Sequence, residues 1–283
     1  MTFWIIQVFN GLSFAMLLFL LSAGLSIIFG VMKVINLAHG SFYLLGGYVA
    51  LSVVSATGSF LLAAVTAVLA GACAAVVMQI FFLRRFYENE LAQVLLTFGF
   101  LFIIADLCLV IWGGNPQALP KPALFAGSYR VGEIVIPSYR LFVTGVGLFF
   151  ALFLWLLFEK TQWGAMTRAA VDDAEMSRGL GINVPGLCTV VFAIGAALAS
   201  FGGVIGGSFI GVYPGADFEI LLYSFVVIII GGLGSLPGAF VGSLIVGLLD
   251  NFGKALFPEL SMFTIFAPMA ILLAVKPTGL FGK

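Results

Sequence analysis

The sequence predicts an all-α fold, a polytopic transmembrane bundle of about eight spans forming one membrane domain over residues 1–283. Three observations carry this reading. The chain is 62% hydrophobic and 8% charged, with a mean hydropathy of +1.21, against roughly 45–50% apolar residues in soluble domains. Apolar runs of the ~20 residues needed to cross the hydrocarbon core recur along its length. The polar residues gather in a few loops between those runs.

The runs fall near Phe9–Val31, Leu37–Ala56, Phe60–Leu83, Leu91–Trp112, Leu141–Phe158 and Leu187–Ile210. Two shorter pieces follow, Ile220–Ile230 and Ala239–Leu249, and then a last span, Met262–Val275. At about 1.5 Å per residue the short pieces do not cross straight. Gly231, Gly232, Gly234, Pro237 and Gly238 lie between them, which fits either a hairpin of short helices or one broken helix. The first run lacks a basic leader region and a small-residue cleavage site, so no removable signal peptide is expected.

Lys and Arg set the orientation. With alternating spans, Lys33, Arg84, Arg85, Lys160, Arg168, Arg178, Lys276 and Lys283 share one side, and Lys121, Arg130, Arg140 and Lys254 the other. The richer side is read as cytoplasmic, with a cytoplasmic loop at 159–186 and an external loop at 113–140. The same alternation puts the N-terminus outside and requires an odd number of crossings; eight follow if the first run is not one simple crossing. The two halves have similar length, but no convincing internal repeat aligns them.

Glycine is frequent, at 35 residues. In membrane bundles small residues let helix backbones approach closely. Gly195, Ala199, Gly203, Gly207 and Gly211 recur at every fourth position and make one smooth face, either for packing within the subunit or for a pathway or subunit contact; Gly203 and Gly207 are its candidates. GGLGSLPG (231–238) is out of register for a dinucleotide loop and lacks the Gly-Lys-Ser/Thr of a phosphate loop. It reads as a helix break.

Polar groups at membrane depth are functional candidates by default. Asn36 and His39 sit between the first two spans, either as a cap and turn or in gating. Asp106 lies inside a span, facing a pathway, pairing with a base, or reaching the external surface. Asp217 and Glu219 mark the external face, capping a helix or touching an external partner. Asp250 and Lys254 are one helical turn apart and can pair.

No catalytic residues are expected. There is no G-x-S-x-G, and no Cys and His stand together. The only histidine is His39, which excludes a multi-histidine zinc site. Cys73, Cys108 and Cys188 are scattered in apolar context and make neither a disulfide framework nor a metal site. No channel filter is evident, and a self-powered carrier would need more buried ionisable groups than Asp106. No nucleic-acid partner is expected; the lipid bilayer is.

The strongest functional signal is the polar island between Phe158 and Leu187. It holds seven of the chain's 24 charged residues: Glu159, Lys160, Arg168, Asp172, Asp173, Glu175 and Arg178. An island of charge in so apolar a chain is where a soluble partner makes contact. Residues 168–178 read as a short amphipathic helix offering Ala169, Val171 and Met176 to a groove, with Gly179 and Gly181 to end it.

Here the sequence resembles a family. GLSIIFGVMKVINLAHGSFYLLGGYVA, RAAVDDAEMSRGLGINV, GGLGSLPGAFVGS and AVKPTGLFGK resemble segments of the permease subunits of branched-chain amino-acid ABC importers, the Liv type, along nearly the whole chain. The loop is similar to the coupling motif of such permeases, Glu-Ala-Ala followed three residues later by Gly. Glu175 and Gly181 hold its ends, and Met176 and Ser177 replace the alanines. The resemblance implies an importer for branched-chain or related amino acids in the bacterial inner membrane. It also implies a second permease subunit, two cytoplasmic ATPases that bind ATP and Mg, and an external binding protein, with no cofactor in this chain. Arg168, Asp172, Asp173, Glu175, Arg178 and Gly181 become the candidate ATPase-coupling residues. Urea, short-amide or other small-solute import by a family member is the alternative within the class; a stand-alone carrier or channel is the alternative outside it.

Overall fold

The computed structural model describes residues 2–87, 89–131 and 134–282; Lys283, counted above among the basic residues, lies outside them. Helix α1 (Thr2–Met32) forms the core. Every residue from Ser13 to Ile28 is buried, as expected of a helix that is apolar all round. Helices α2 (His39–Thr57), α3 (Phe60–Phe81), α4 (Glu90–Trp112) and α5 (Ser138–Lys160) follow. Two short helices, α6 (Gln162–Asp172) and α7 (Ala174–Gly179), precede α8 (Val184–Gly207), α9 (Ala216–Gly231), α10 (Leu236–Leu256) and α11 (Ser261–Val275).

Among the described residues, eight helices are long and apolar enough to cross a membrane: α1 to α5, α8, α10, and α11 with its leading 3₁₀ turn. Helix α9 has 16 residues and reaches about 24 Å, short of the ~30 Å hydrocarbon core. The piece expected at Ala239–Leu249 is instead the 21-residue helix α10. Ser235 starts it early, its Oγ accepting from the Gly238 amide at 3.1 Å. Pro237 in the first turn gives up only an N–H with no helical partner. Asp250 and Lys254 pair at 2.9 Å inside the helix, so their charges do not end it. Helices α9 and α10 form a hairpin rather than one broken helix. Gly232 (φ +104°) and Gly234 (φ +77°) make its turn, and a Cβ on Gly231 would lie 2.9 Å from the Ala239 nitrogen.

Most of the basic residues gather at one end of the bundle. There the α1 terminus meets the α9–α10 turn, a Cβ on Gly30 lying 3.2 Å from the Gly234 oxygen. The Leu280 and Phe281 amides bond the Ile230 and Gly231 carbonyls, both at 2.9 Å. At the far end, segment 113–140 is largely irregular. It carries a small antiparallel pair of strands, β1 (Ser128–Val131) with β2 (Ile134–Pro137), the one sheet among the described residues. Gln117 pairs with Val212 through 2.9 and 2.7 Å backbone bonds, and the Leu119 amide bonds the Gly207 carbonyl at 3.0 Å. These tie the segment to the end of α8.

Chain 33–38 is non-helical and lies at membrane depth. His39, the first residue of α2, is 2.9 Å through Nε2 from the Leu21 carbonyl, eleven residues and about 16 Å short of the end of α1. Ser41 donates at 3.1 Å to the carbonyl of Leu101, midway along α4. Non-helical backbone is tolerated there where protein encloses it; Val34, Asn36 and Ala38 are buried, while the Lys33 and Ile35 side chains are exposed.

Candidate functional site

The polar island folds as two helices, which corrects the single helix expected over 168–178. Asp173 is extended (φ −151°, ψ 100°) and its Oδ1 accepts from the Met176 amide at 2.8 Å. It therefore starts α7 as a cap. Thr161 and Asn183 cap α6 and α8 the same way, bonding the Gly164 and Gly186 amides at 3.2 and 3.0 Å. Arg168 points back to α5: it donates to the Phe158 carbonyl and lies 3.8 Å from Glu159. Asp172 is exposed at the end of α6. Asp173 and Arg168 are thus engaged in holding the loop.

Helix α7 presents the free surface. Met176 and Leu180 are 62% and 75% exposed, one turn apart, beside exposed Glu175 and Arg178. Ala169 is exposed on α6, while Val171 is half-buried. Gly181 has φ +87°, a left-handed conformation natural to glycine, and turns the chain into α8. Beneath lies an apolar cluster of Ala170, Val184, Leu187 and Cys188. Tyr87 donates to the Cys188 sulfur, and burial holds its hydroxyl above the usual tyrosine range, so it stays a donor. Replacing Asp173 with Ala is expected to remove about 1 kcal/mol of helix capping. Hydrogen exchange at the Met176 and Ser177 amides should rise about fivefold, with Asn restoring protection; unchanged exchange would refute the capping role.

At mid-depth the end of the break at 33–38 brings buried polar groups together. Asn36 does not cap α2, contrary to one reading of the sequence: the cap position is Ala38, with no side-chain bond. Both polar atoms of the Asn36 side chain are buried without a protein partner, as is His39 Nδ1. Gly40 packs on the first turn of α9, where a Cβ would overlap the Asp217 carbonyl. Asp217 is buried there, its carboxylate in the first turn of α9 at the positive end of a helix dipole.

The far end opens into a cavity of about 180 Å³ between α1, α2, α5, α9 and α10. Asp250, Lys254 and Tyr223 form one charge-neutral unit on its wall. The Tyr223 hydroxyl donates to Asp250 at 2.9 Å, and Lys254 lies 2.9 Å from the same oxygen. Opposite, Tyr213 donates to Glu219 at 2.6 Å. Burial and the Glu219 carboxylate push the Tyr213 hydroxyl up to about 12, so that bond persists through the physiological range. Arg140 lies over the Phe209 ring at 5.0 Å. Of these groups sequence reading singled out Glu219 as a site; Arg140 counted only as an external basic residue, and Tyr43, Tyr213 and Tyr223 not at all. Their sequence signal is hydroxyls and one guanidinium in an otherwise apolar chain.

The glycine face packs inside the chain, in keeping with the first of the two readings of Gly203 and Gly207. A Cβ on Gly203 would overlap the Tyr43 carbonyl and lie 2.8 Å from the Gly47 nitrogen; one on Gly207 would lie 2.6 Å from Leu119. Gly211 falls outside α8 at φ +100°. Asp106 is exposed on α4, six residues or about 9 Å short of its end, and makes no ion pair among the described residues.

Eight helices long and apolar enough to cross a membrane, with a polar cavity open at one end, make up the architecture of a multi-pass membrane protein. Residues 7–274 match the family described as "Branched-chain amino acid transport system / permease component", and the chain belongs to that family. It is 29% identical to the "High-affinity branched-chain amino acid transport system permease protein LivH" of Escherichia coli K12, over 98% of this chain and 95% of that one. The same figures hold for the permease protein BraD of Pseudomonas aeruginosa. The "Xylose/arabinose import permease protein XylH" of Sulfolobus acidocaldarius is 28% identical over 58% of this chain and 46% of its own. No solved structure matches the chain.

Proposed function

We propose that the chain is the membrane permease subunit of an ATP-driven importer for branched-chain or related amino acids in the bacterial inner membrane. The observation that carries this is the family match over 7–274, strengthened by relatives named for branched-chain amino-acid transport that align over almost their whole length. The basic end, richer in Lys and Arg, faces the cytoplasm, and the cavity faces outward. ATP is hydrolysed by two separate cytoplasmic ATPases; a second permease subunit and an external binding protein complete the assembly.

The structure supports a route for the mechanical input. An ATPase seats on α7 through Met176, Leu180, Glu175 and Arg178. Helix α7 rests on the cluster that begins α8, and α8 packs backbone to backbone on α2 through Gly203 and Gly46. Helix α2 carries Tyr43 to the cavity wall. Closure of the ATPases then shifts the balance between outward- and inward-open states.

Proteoliposomes carrying the complete importer are expected to accumulate leucine, isoleucine or valine only with ATP, ATPases and binding protein together. Uptake that persists without the ATPases would overturn this reading in favour of a stand-alone carrier.

A further inference from the structure

The outward cavity holds two opposite charges that do not satisfy each other. Arg140 from α5 and Glu219 from α9 both line it, yet neither lies within 4.0 Å of an opposite charge among the described residues. The Nη1 of Arg140 is buried without a hydrogen-bond partner. So is the hydroxyl of Tyr43, a fully buried side chain that lines the same cavity. A Cβ on Gly206 would press on the Tyr43 ring, 2.8 Å from Cε2; glycine there leaves the ring its place. The remaining charges, Asp250 and Lys254, neutralise each other at 2.9 Å.

Buried donors left unpaired, as Arg140 Nη1 and the Tyr43 hydroxyl are, cost free energy; Glu219 is exposed, and a site that keeps both signs apart is complementary to a ligand carrying both. The rest of the lining includes Phe14, Phe209, Ile210 and Ile220, which suits an aliphatic side chain. At about 180 Å³ the space is below the roughly 300–1,000 Å³ of drug-sized pockets, which suits a small solute.

We infer that this cavity is a zwitterion site of the permease itself, with Arg140 and Tyr43 receiving the α-carboxylate and Glu219, steadied by Tyr213, receiving the α-ammonium of an apolar amino acid. It rests on the amino-acid importer reading and adds that the permease, and not only a binding protein, reads the substrate's two charges.

The test measures Kd for L-leucine, leucinamide (no carboxylate) and 4-methylpentanoate (no amine) by ligand-induced thermal shift. It uses the full-length chain in complex with its permease and ATPase partners, without binding protein. The wild type should prefer leucine to either analogue by at least about tenfold. Arg140→Gln should weaken leucine about tenfold and leave leucinamide unchanged; Glu219→Gln should weaken leucine equally and leave 4-methylpentanoate unchanged. Arg140→Lys should recover part of the loss. Variants that bind leucine as the wild type does overturn the site, as do variants that lose all three ligands alike. A complex that imports leucine with binding protein and ATP but binds none alone overturns it too. If the wild-type complex with binding protein and ATP imports no branched-chain amino acid, the functional reading fails instead.

Discussion

Met176→Asp combined with Leu180→Asp is expected to abolish ATP-driven uptake while the protein reaches the membrane at the wild-type level. Met176 on α7 and Leu180 just after its end are 62% and 75% exposed, so neither contributes much to the fold, and added carboxylates there cost the isolated subunit little. In the importer proposed above, the same pair would be the apolar part of the surface offered to an ATPase. Burying a large aliphatic side chain is worth roughly 1.5–3 kcal/mol, and an unpaired carboxylate in its place adds a desolvation cost. Two such changes remove about 4 kcal/mol or more, on the order of a thousandfold in affinity. Glu175→Gln and Gly181→Ala should act more mildly, slowing uptake relative to ATP hydrolysis. For Gly181 the cause is strain, since φ +87° costs an L-residue roughly 1–2 kcal/mol. The measurement is ATPase co-purification with substrate uptake per ATP hydrolysed. A double variant that retains its ATPase and full coupling would remove α7 as the docking element.

How far the sequence discloses such features depends on whether the physics is local. Spans are legible because ~20 apolar residues are required wherever a helix crosses, and every long run is a helix in the structure. Helix α10 was under-read because Pro237 and the Asp250–Lys254 pair look like boundaries. The first is a start signal at a helix N-terminus and the second a pair compatible with helix. The α6–α7 break was legible in principle, since Asp173 three residues before Met176 is a capping pattern. An amphipathic reading over 168–178 overrode it.

Depth and convergence are not local. Nothing in VMKVINLAHG states that α2 starts beside Leu21, because that depends on which helices enclose the break. The cavity is assembled from Tyr43, Arg140, Tyr213, Glu219, Tyr223 and Lys254, which five separate segments of chain supply. Only the pair on α10 could be found by spacing. Asn36 shows the same limit: next to a helix start it reads as a cap, yet the chain buries it and the helix begins at His39 without it.

Gly203→Leu is expected to destroy the folded protein, and the reason lies in the contact that carries α2. A Cβ at 203 overlaps the carbonyl of Tyr43, and one at Gly46 would overlap the Ser200 carbonyl in the reciprocal contact. Both obstacles are backbone atoms in the middle of helices, so no rotamer change relieves them. Side-chain overpacking in a core typically costs 1–3 kcal/mol; a backbone overlap repeated through a four-carbon side chain exceeds that and approaches the 5–15 kcal/mol that stabilises ordinary domains. Relief by separating α2 from α8 would pull Tyr43 off the cavity wall and break the 3.0 Å bond from Ser200 to the Phe42 carbonyl. Gly99→Ala supplies the control. Gly99 is exposed on α4 with nothing within 4 Å of its Cβ position, and there Ala should be neutral or stabilise by up to about 1 kcal/mol. Thermal unfolding in detergent, with size-exclusion profiles, reads both. Gly203→Leu should yield aggregated or degraded protein and Gly203→Ala a lowered melting temperature, while Gly99→Ala melts at or above the wild type. A Gly203→Leu protein that elutes and melts as the wild type does would mean that α2 and α8 do not touch backbone to backbone, and the mechanical route from α7 to Tyr43 would fall with that contact.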